Sequence, residues 1–222
     1  MVGPPLPEDL DLKALPRGVQ AELKGLGLGL AGQVGGHLLL AGQLIDENPE
    51  LAFEHAQAAK EQAPRLQITR EAFGEAAYAL GRYTVALTEF RAVRRMSGSN
   101  EYLAAMADCE RALGRYDAAL KLIKEGLATV DSAFDLVELK LVEAGIRADT
   151  GQLDEAVRIL LATNKQLGPS GPKSSRARLR YAIADLLERT GKPADALKWF
   201  RSSQSLDPEE TLDTADRISA LE

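Results

Sequence analysis

Ala79-Leu80-Gly81-Arg82-Tyr83-Thr84-Val85-Ala86-Leu87 returns as Ala112-Leu113-Gly114-Arg115-Tyr116-Asp117-Ala118-Ala119-Leu120, 33 residues further on (79 to 112). One phrase written twice at that spacing is an internal repeat, and a fixed period of this length decides the architecture before any single motif is weighed. Weaker copies stand at Thr150-Gly151-Gln152-Leu153-Asp154-Glu155-Ala156-Val157 and at Thr190-Gly191-Lys192-Pro193-Ala194-Asp195-Ala196-Leu197. The turn glycines follow at intervals of 33, 37 and 40 residues (81 to 114, 114 to 151, 151 to 191). The insertions therefore fall in the connections between repeats.

Each copy has a glycine where the chain must reverse between two antiparallel helices, a place where a left-handed backbone costs a residue without Cβ very little. Five residues on stands an alanine, at Ala86, Ala119, Ala156 and Ala196, with Ala52 in phase. A larger side chain there would hold the helices apart, with strain of about 1–3 kcal/mol. Tyr83, Tyr116 and Leu153, two residues after the glycine, fill the mouth of the hairpin. Helical spacing and breakers then give helix pairs over about 33–64, 66–96, 101–130, 133–167 and 176–206. The first pair lacks the turn glycine and breaks at Asp46-Glu47-Asn48-Pro49. Ser132 followed by Asp135 opens a helix as a shortened capping box.

Outside the pairs, residues 1–16 carry four prolines among acids and read as a loose arm. A short helix is expected over Arg17 to Lys24. Leu212, Ala215, Ile218 and Leu221 recur every three positions, so residues 209–222 read as an acidic capping helix or tail at the end of the array. Residues 17–208 are taken as one repeat domain. Two glycine-rich stretches are set aside. Gly27-Leu28-Gly29-Leu30-Ala31-Gly32 matches a dinucleotide fingerprint letter by letter, but a helix and not a strand precedes it. Gly168-Pro169-Ser170-Gly171-Pro172-Lys173-Ser174-Ser175 has Pro172 where a phosphate loop needs a glycine N–H, and reads as a connector.

The 222 residues carry a formal charge of -6, which weighs mildly against a nucleic acid backbone as the main ligand. One cysteine, Cys109, excludes an internal disulfide framework and a multi-cysteine zinc site, and fits a reducing, cytoplasmic setting. The opening residues lack the basic and apolar regions of a signal peptide, and no apolar run suits a membrane span. No catalytic, cofactor-binding or metal-binding residue emerges. His37 and His55 fall on opposite helices of the first pair and read as packed or exposed histidines. Cys109 reads as a small buried hydrophobe and Trp199-Phe200 as core.

This pattern resembles the tetratricopeptide repeat over nearly all of residues 33–208. The best match is the pair around Gly81, with Gly74, Gly81, Tyr83, Ala86 and Phe90, followed by the last pair with Gly191, Ala196, Phe200 and Pro208. The family's first-helix tryptophan is absent, and its first-helix glycine appears only as Gly74. A looser similarity in style to tetratricopeptide proteins of actinobacteria implies no activity. The resemblance implies an all-α, right-handed solenoid of about five helical hairpins with a C-terminal capping helix. It also implies a non-enzymatic protein-protein interaction scaffold, whose first helices line a concave groove.

Carried onto this sequence, the groove positions are Glu71, Glu75 and Tyr78; Glu101, Asp108 and Arg111; Glu138 and Leu141; and Arg178, Tyr181, Asp185 and Glu188. Carboxylates dominate. They would repel the terminal carboxylates held by chaperone-tail-binding members of the family, and a basic or amphipathic peptide or helix is the better match. The same charges are also what a solvated helix face looks like. A second feature points elsewhere: Arg158, Lys165, Lys173, Arg176, Arg178 and Arg180 form an acid-free stretch between Ala156 and Ala184. Within it Lys173, Arg176, Arg178 and Arg180 would meet an anionic partner or nucleic acid, with Tyr181 for stacking. A structural oligomerisation module is the third alternative.

Overall fold

The computed structural model describes residues 3–169 and 171–222. Among them the chain forms twelve α-helices and one 3-10 turn, Leu12–Ala14, with no strand. They divide into two compact units, residues 1–102 and 103–222, each taken by itself.

The first unit holds α1 (Arg17–Leu23), then the hairpins α2 (Leu28–Leu44) with α3 (Pro49–Gln62) and α4 (Gln67–Ala79) with α5 (Tyr83–Ser97). The second holds α6 (Leu103–Ala112) with α7 (Tyr116–Thr129), α8 (Ala133–Asp149) with α9 (Leu153–Leu167), α10 (Lys173–Arg189) with α11 (Pro193–Gln204), and the terminal α12 (Thr214–Leu221). In both units each helix packs chiefly on its hairpin partner, and the hairpins stack in chain order. Five helix pairs were expected, and five are found.

The turn glycines behave as the repeat requires. Gly81, Gly114, Gly151 and Gly191 have φ of 67°, 72°, 78° and 75°. At each, the glycine and the residue after it close the preceding helix with a pair of backbone bonds. Arg82 N–H donates to Ala77 C=O at 2.8 Å and Gly81 N–H to Tyr78 C=O at 2.9 Å, and the other three turns repeat this arrangement. Carbonyls that the helix end would leave unpaired are thereby satisfied. The alanines five residues on, with Ala52, are all fully buried. Gly74 is equally constrained, since a Cβ there would lie 2.8 Å from Cε1 of the buried Phe90 ring.

Local capping follows the sequence. Asn48 Oδ1 accepts from Leu51 N–H at 3.1 Å, with Pro49 in the first turn of α3. Ser132 Oγ accepts from Asp135 N–H at 2.9 Å and donates its hydroxyl proton to Asp135 Oδ2 at 2.6 Å. The shorter acid thus meets the cap's hydroxyl rather than its backbone N–H.

Three boundaries differ from the sequence reading. The first pair begins at Leu28, so the glycine fingerprint lies at and inside the start of α2, after a helix and not a strand. α10 begins at Lys173 behind Pro172, which shortens the connector; Ser170 lies outside the described residues. The largest difference is the N-terminal arm, which is packed rather than loose. Leu15 and Leu23 are buried against Val34 and Leu38 of α2. Gly35 and Gly36 make this possible. A Cβ on Gly36 would come within 2.9 Å of Leu6, and one on Gly35 within 3.1 Å of Leu23. Glu22 then ties α1 to the start of α4, its Oε2 accepting from Ile68 N–H at 3.4 Å.

Candidate functional site

The expected partner face is carried by the first helix of each pair, and the two units present it in opposite electrostatic states. In the second unit its charges are paired internally. Arg111 of α6 donates from Nε to Asp108 and from Nη1 to Asp149 at the end of α8, both at 2.7 Å. Its stem lies over Gly145, where a Cβ would come within 3.2 Å of Arg111 Cδ. Arg178 pairs with Glu138 at 2.9 Å. Desolvation raises the Glu138 carboxyl above its ordinary range, and Arg178 opposes that rise.

At the C-terminal end, Arg217 of α12 gathers three of the expected groove residues. It reaches Tyr181 Oη at 2.9 Å, Asp185 Oδ1 at 3.0 Å and Glu188 Oε2 at 2.8 Å, and its guanidinium lies 4.7 Å from the Phe200 ring centroid. The capping helix thus occupies this stretch of the face. Sequence reasoning placed α12 over the end of the array without seeing Arg217. The signal available was a lone arginine within an acidic tail.

The basic block does not converge. Arg158 pairs with Glu155 on its own helix. Arg180 Nη1 holds Ser202, its Oγ at 2.9 Å and its carbonyl at 3.3 Å, near the C-terminal end of α11 where a cation is favoured. Arg178 points to Glu138. Lys173 is exposed at the helix start, and Arg176 lies half-buried beside Arg180.

The first unit differs. Glu71 and Glu75 project from α4, with Glu101 and Glu22 near them, and their hydrogen-bond donors are neutral. Gln67 Nε2 donates to Glu71 at 2.7 Å, and Tyr102 Oη donates to Glu75 at 2.7 Å. Among the described residues no lysine or arginine pairs with Glu71, Glu75, Glu101 or Glu22. Desolvation raises the Glu71 carboxyl, and Glu101, Glu22 and Glu75 raise it further against the Gln67 bond. Desolvation likewise raises Glu75, reinforced by Glu101 and opposed by the Tyr102 bond, although this side chain keeps access to water. Tyr102 is held in place by stacking on Phe90, with centroids 4.6 Å apart. Tyr78 turns to the hairpin mouth, its ring edge-on to Tyr83 at 5.8 Å.

Beside Glu75 lies an apolar cleft of about 200 Å³. Leu15 and Val19 of the N-terminal segment line it together with Leu38 of α2, Ile45 just beyond that helix, and Ala72 of α4. Neither the cleft nor Tyr102 was foreseen from the sequence, because both depend on how residues 3–26 and 99–102 fold back.

His37 and His55 are both buried, with their Nδ1 atoms 2.9 Å apart. One ring must carry its proton on Nδ1 and the other on Nε2. Burial lowers the pKa of both from the ordinary 6.5. His55 lowers His37 further, while Glu54 partly offsets the fall at His55. The unfolded chain therefore takes up protons at a higher pH than the native pair does. Stability is whole above about pH 6.5 and declines as pH falls through the depressed native values. The urea midpoint should drop between pH 7.5 and 5.5, by much less in His37→Leu/His55→Leu; equal pH dependence in both proteins would rule the pair out as its source. No group of three or more potential metal ligands occurs among the described residues.

Helix hairpins with a glycine at the turn and a small residue at the helix crossing, stacked in order, define a helical repeat protein. The tetratricopeptide repeat model matches residues 71–133 and 141–211, more than half of the chain, and the chain belongs to the tetratricopeptide repeat family. Among solved structures it is similar to TTC0263, a thermophilic tetratricopeptide repeat protein of Thermus thermophilus. The identity is 17% and the TM-score 0.62, with 85% of this chain and 98% of that one covered. It is also similar to yeast Tom70, at 18% identity and a TM-score of 0.52, covering 96% of this chain but only 44% of Tom70. These likenesses carry the fold alone. Comparison with curated protein sequences finds no match.

Proposed function

We propose that this chain is a non-enzymatic protein-protein interaction scaffold that takes a basic or amphipathic peptide or helix on the first-helix face of residues 1–102. The observation that supports this reading is the set of carboxylates at Glu71, Glu75 and Glu101. Their neighbours are neutral donors and other carboxylates, whereas Asp108, Glu138, Asp185 and Glu188 already have arginines. Unpaired like charges held together cost free energy in the isolated protein, and a cationic partner removes that cost on binding. The carboxylates of the second unit have arginines in hand and are poor candidates for the same role. Among the described residues no helix is long and apolar enough to cross a membrane. The single buried cysteine suits a reducing cytoplasmic compartment.

The nucleic acid reading through Lys173, Arg176, Arg178 and Arg180 has less support, because Arg178 and Arg180 are engaged within the protein. A lysine-rich amphipathic peptide should bind with an affinity that falls as salt rises. Glu71→Lys/Glu75→Lys should weaken it by about tenfold or more, a change of about 1.4 kcal/mol, and Glu71→Gln/Glu75→Gln by less. Calorimetric titration that finds the lysine variant binding as tightly as the native chain would exclude this face.

A further inference from the structure

We infer that the cleft between the N-terminal segment and the pair α2 and α4 receives one apolar side chain of the partner, while lysines or arginines flanking that side chain engage Glu71, Glu75 and Glu101. The inference rests on the reading above and adds an apolar anchor to it. The recognition element becomes a cationic segment with a single leucine- or phenylalanine-like residue, not a generally basic surface.

Three observations carry it. Glu75 belongs to both features, lining the cleft and standing beside Glu71 and Glu101, so the opening and the carboxylates share a rim. The volume of about 200 Å³ lies below the roughly 300–1,000 Å³ of sites for small-molecule ligands or cofactors. It suits a side chain instead. The lining is aliphatic apart from Glu75, and Gly42 on the exposed side of α2 has nothing within 4 Å of where its Cβ would stand. An acidic segment would be repelled at the rim, and an uncharged one would leave the carboxylates without a counter-charge.

One wall is supplied from outside the repeats. Leu15 is buried on α2 through the close approach at Gly35, and Glu22 fastens the same segment to α4. The N-terminal segment is thus part of the site and not a tether to it.

The test uses the full chain and two synthetic helical peptides of about 15 residues, lysine-rich and identical except for a central leucine or glutamine. By calorimetric titration the leucine peptide should bind about tenfold or more tightly, as burying one such side chain implies. Gly42→Phe, which puts a ring into the cleft, should abolish that preference, and Gly42→Ala should retain it. Glu71→Lys/Glu75→Lys should weaken both peptides alike. If both peptides bind equally and both respond to the charge reversal, the anchor is wrong and the acidic face stands. If neither peptide binds, or neither responds to the reversal, the acidic face falls and the anchor with it. A glutamate-rich leucine peptide binding as tightly as the lysine one would overturn the inference in favour of a purely apolar ligand. Self-association of the free chain lost in Gly42→Phe would overturn it in favour of a second copy.

Discussion

Phe200→Ala should lower the stability of the unit formed by residues 103–222 by about 3–5 kcal/mol, the range for deleting a fully buried aromatic ring. The ring has no solvent exposure and belongs to the core cluster that includes Leu179, Ile183 and Leu187 of α10 and Ala196 of its own helix. It also meets Tyr181 edge-on at 5.3 Å and supplies the face on which Arg217 rests. Truncation thus removes apolar burial, opens a cavity between α10 and α11, and takes away the support of the arginine that fastens α12. Backbone relaxation can close little of that cavity, because Ala196 already brings the two helices to close contact. Trp199, the chain's one tryptophan, is partly buried against the same core and reports the transition by fluorescence. Phe200→Leu should cost distinctly less, since most of the volume is kept. A loss below about 1 kcal/mol for the alanine variant would mean that this ring is not the keystone of the α10–α12 packing.

Phe200 also marks what can be read without coordinates. Its place follows from the repeat: nine residues beyond Gly191 it matches Phe90, nine beyond Gly81, and both rings are buried in their hairpins. The turn glycines, the crossing alanines and the helix pairs were legible for the same reason, since each is fixed by contacts within some 35 residues and written several times over. The partner face was legible only as a set of positions. Which carboxylates there are neutralised depends on residues that the repeat does not constrain. Arg217 comes from the terminal helix, Asp149 from a helix end, and Tyr102 from the connection after α5. The N-terminal segment was misread because its prolines and acids look like an unstructured arm. Its leucines at 6, 10, 12 and 15 find their partner in two adjacent glycines of α2, a complement visible only after folding.

Glu89→Ala should destabilise the unit formed by residues 1–102 by about 2–3 kcal/mol. Glu89 of α5 accepts from Lys60 Nζ of α3 at 2.6 Å and from Arg70 Nη1 of α4 at 2.7 Å, and its side chain is only 5% exposed. Losing one partner of a fully buried ion pair costs about 3–5 kcal/mol, because the surviving charge is left without water or a counter-ion. Here the survivors keep 25% of their side-chain exposure, so part of the cost is recovered by hydration. Lys60 also lies 4.5 Å from the centroid of Phe73, which holds some of its charge in place. The penalty therefore belongs mainly to the two stranded cations and not to any large net gain from the ion pairs. That distinction is measurable. Lys60→Met/Arg70→Met/Glu89→Leu, which removes every charge while keeping bulk, should unfold within about 1 kcal/mol of the native chain, whereas Glu89→Ala alone should not. Circular dichroism in urea separates the two outcomes, and a triple variant as unstable as Glu89→Ala would show that the ion pairs themselves bind the second hairpin to the first.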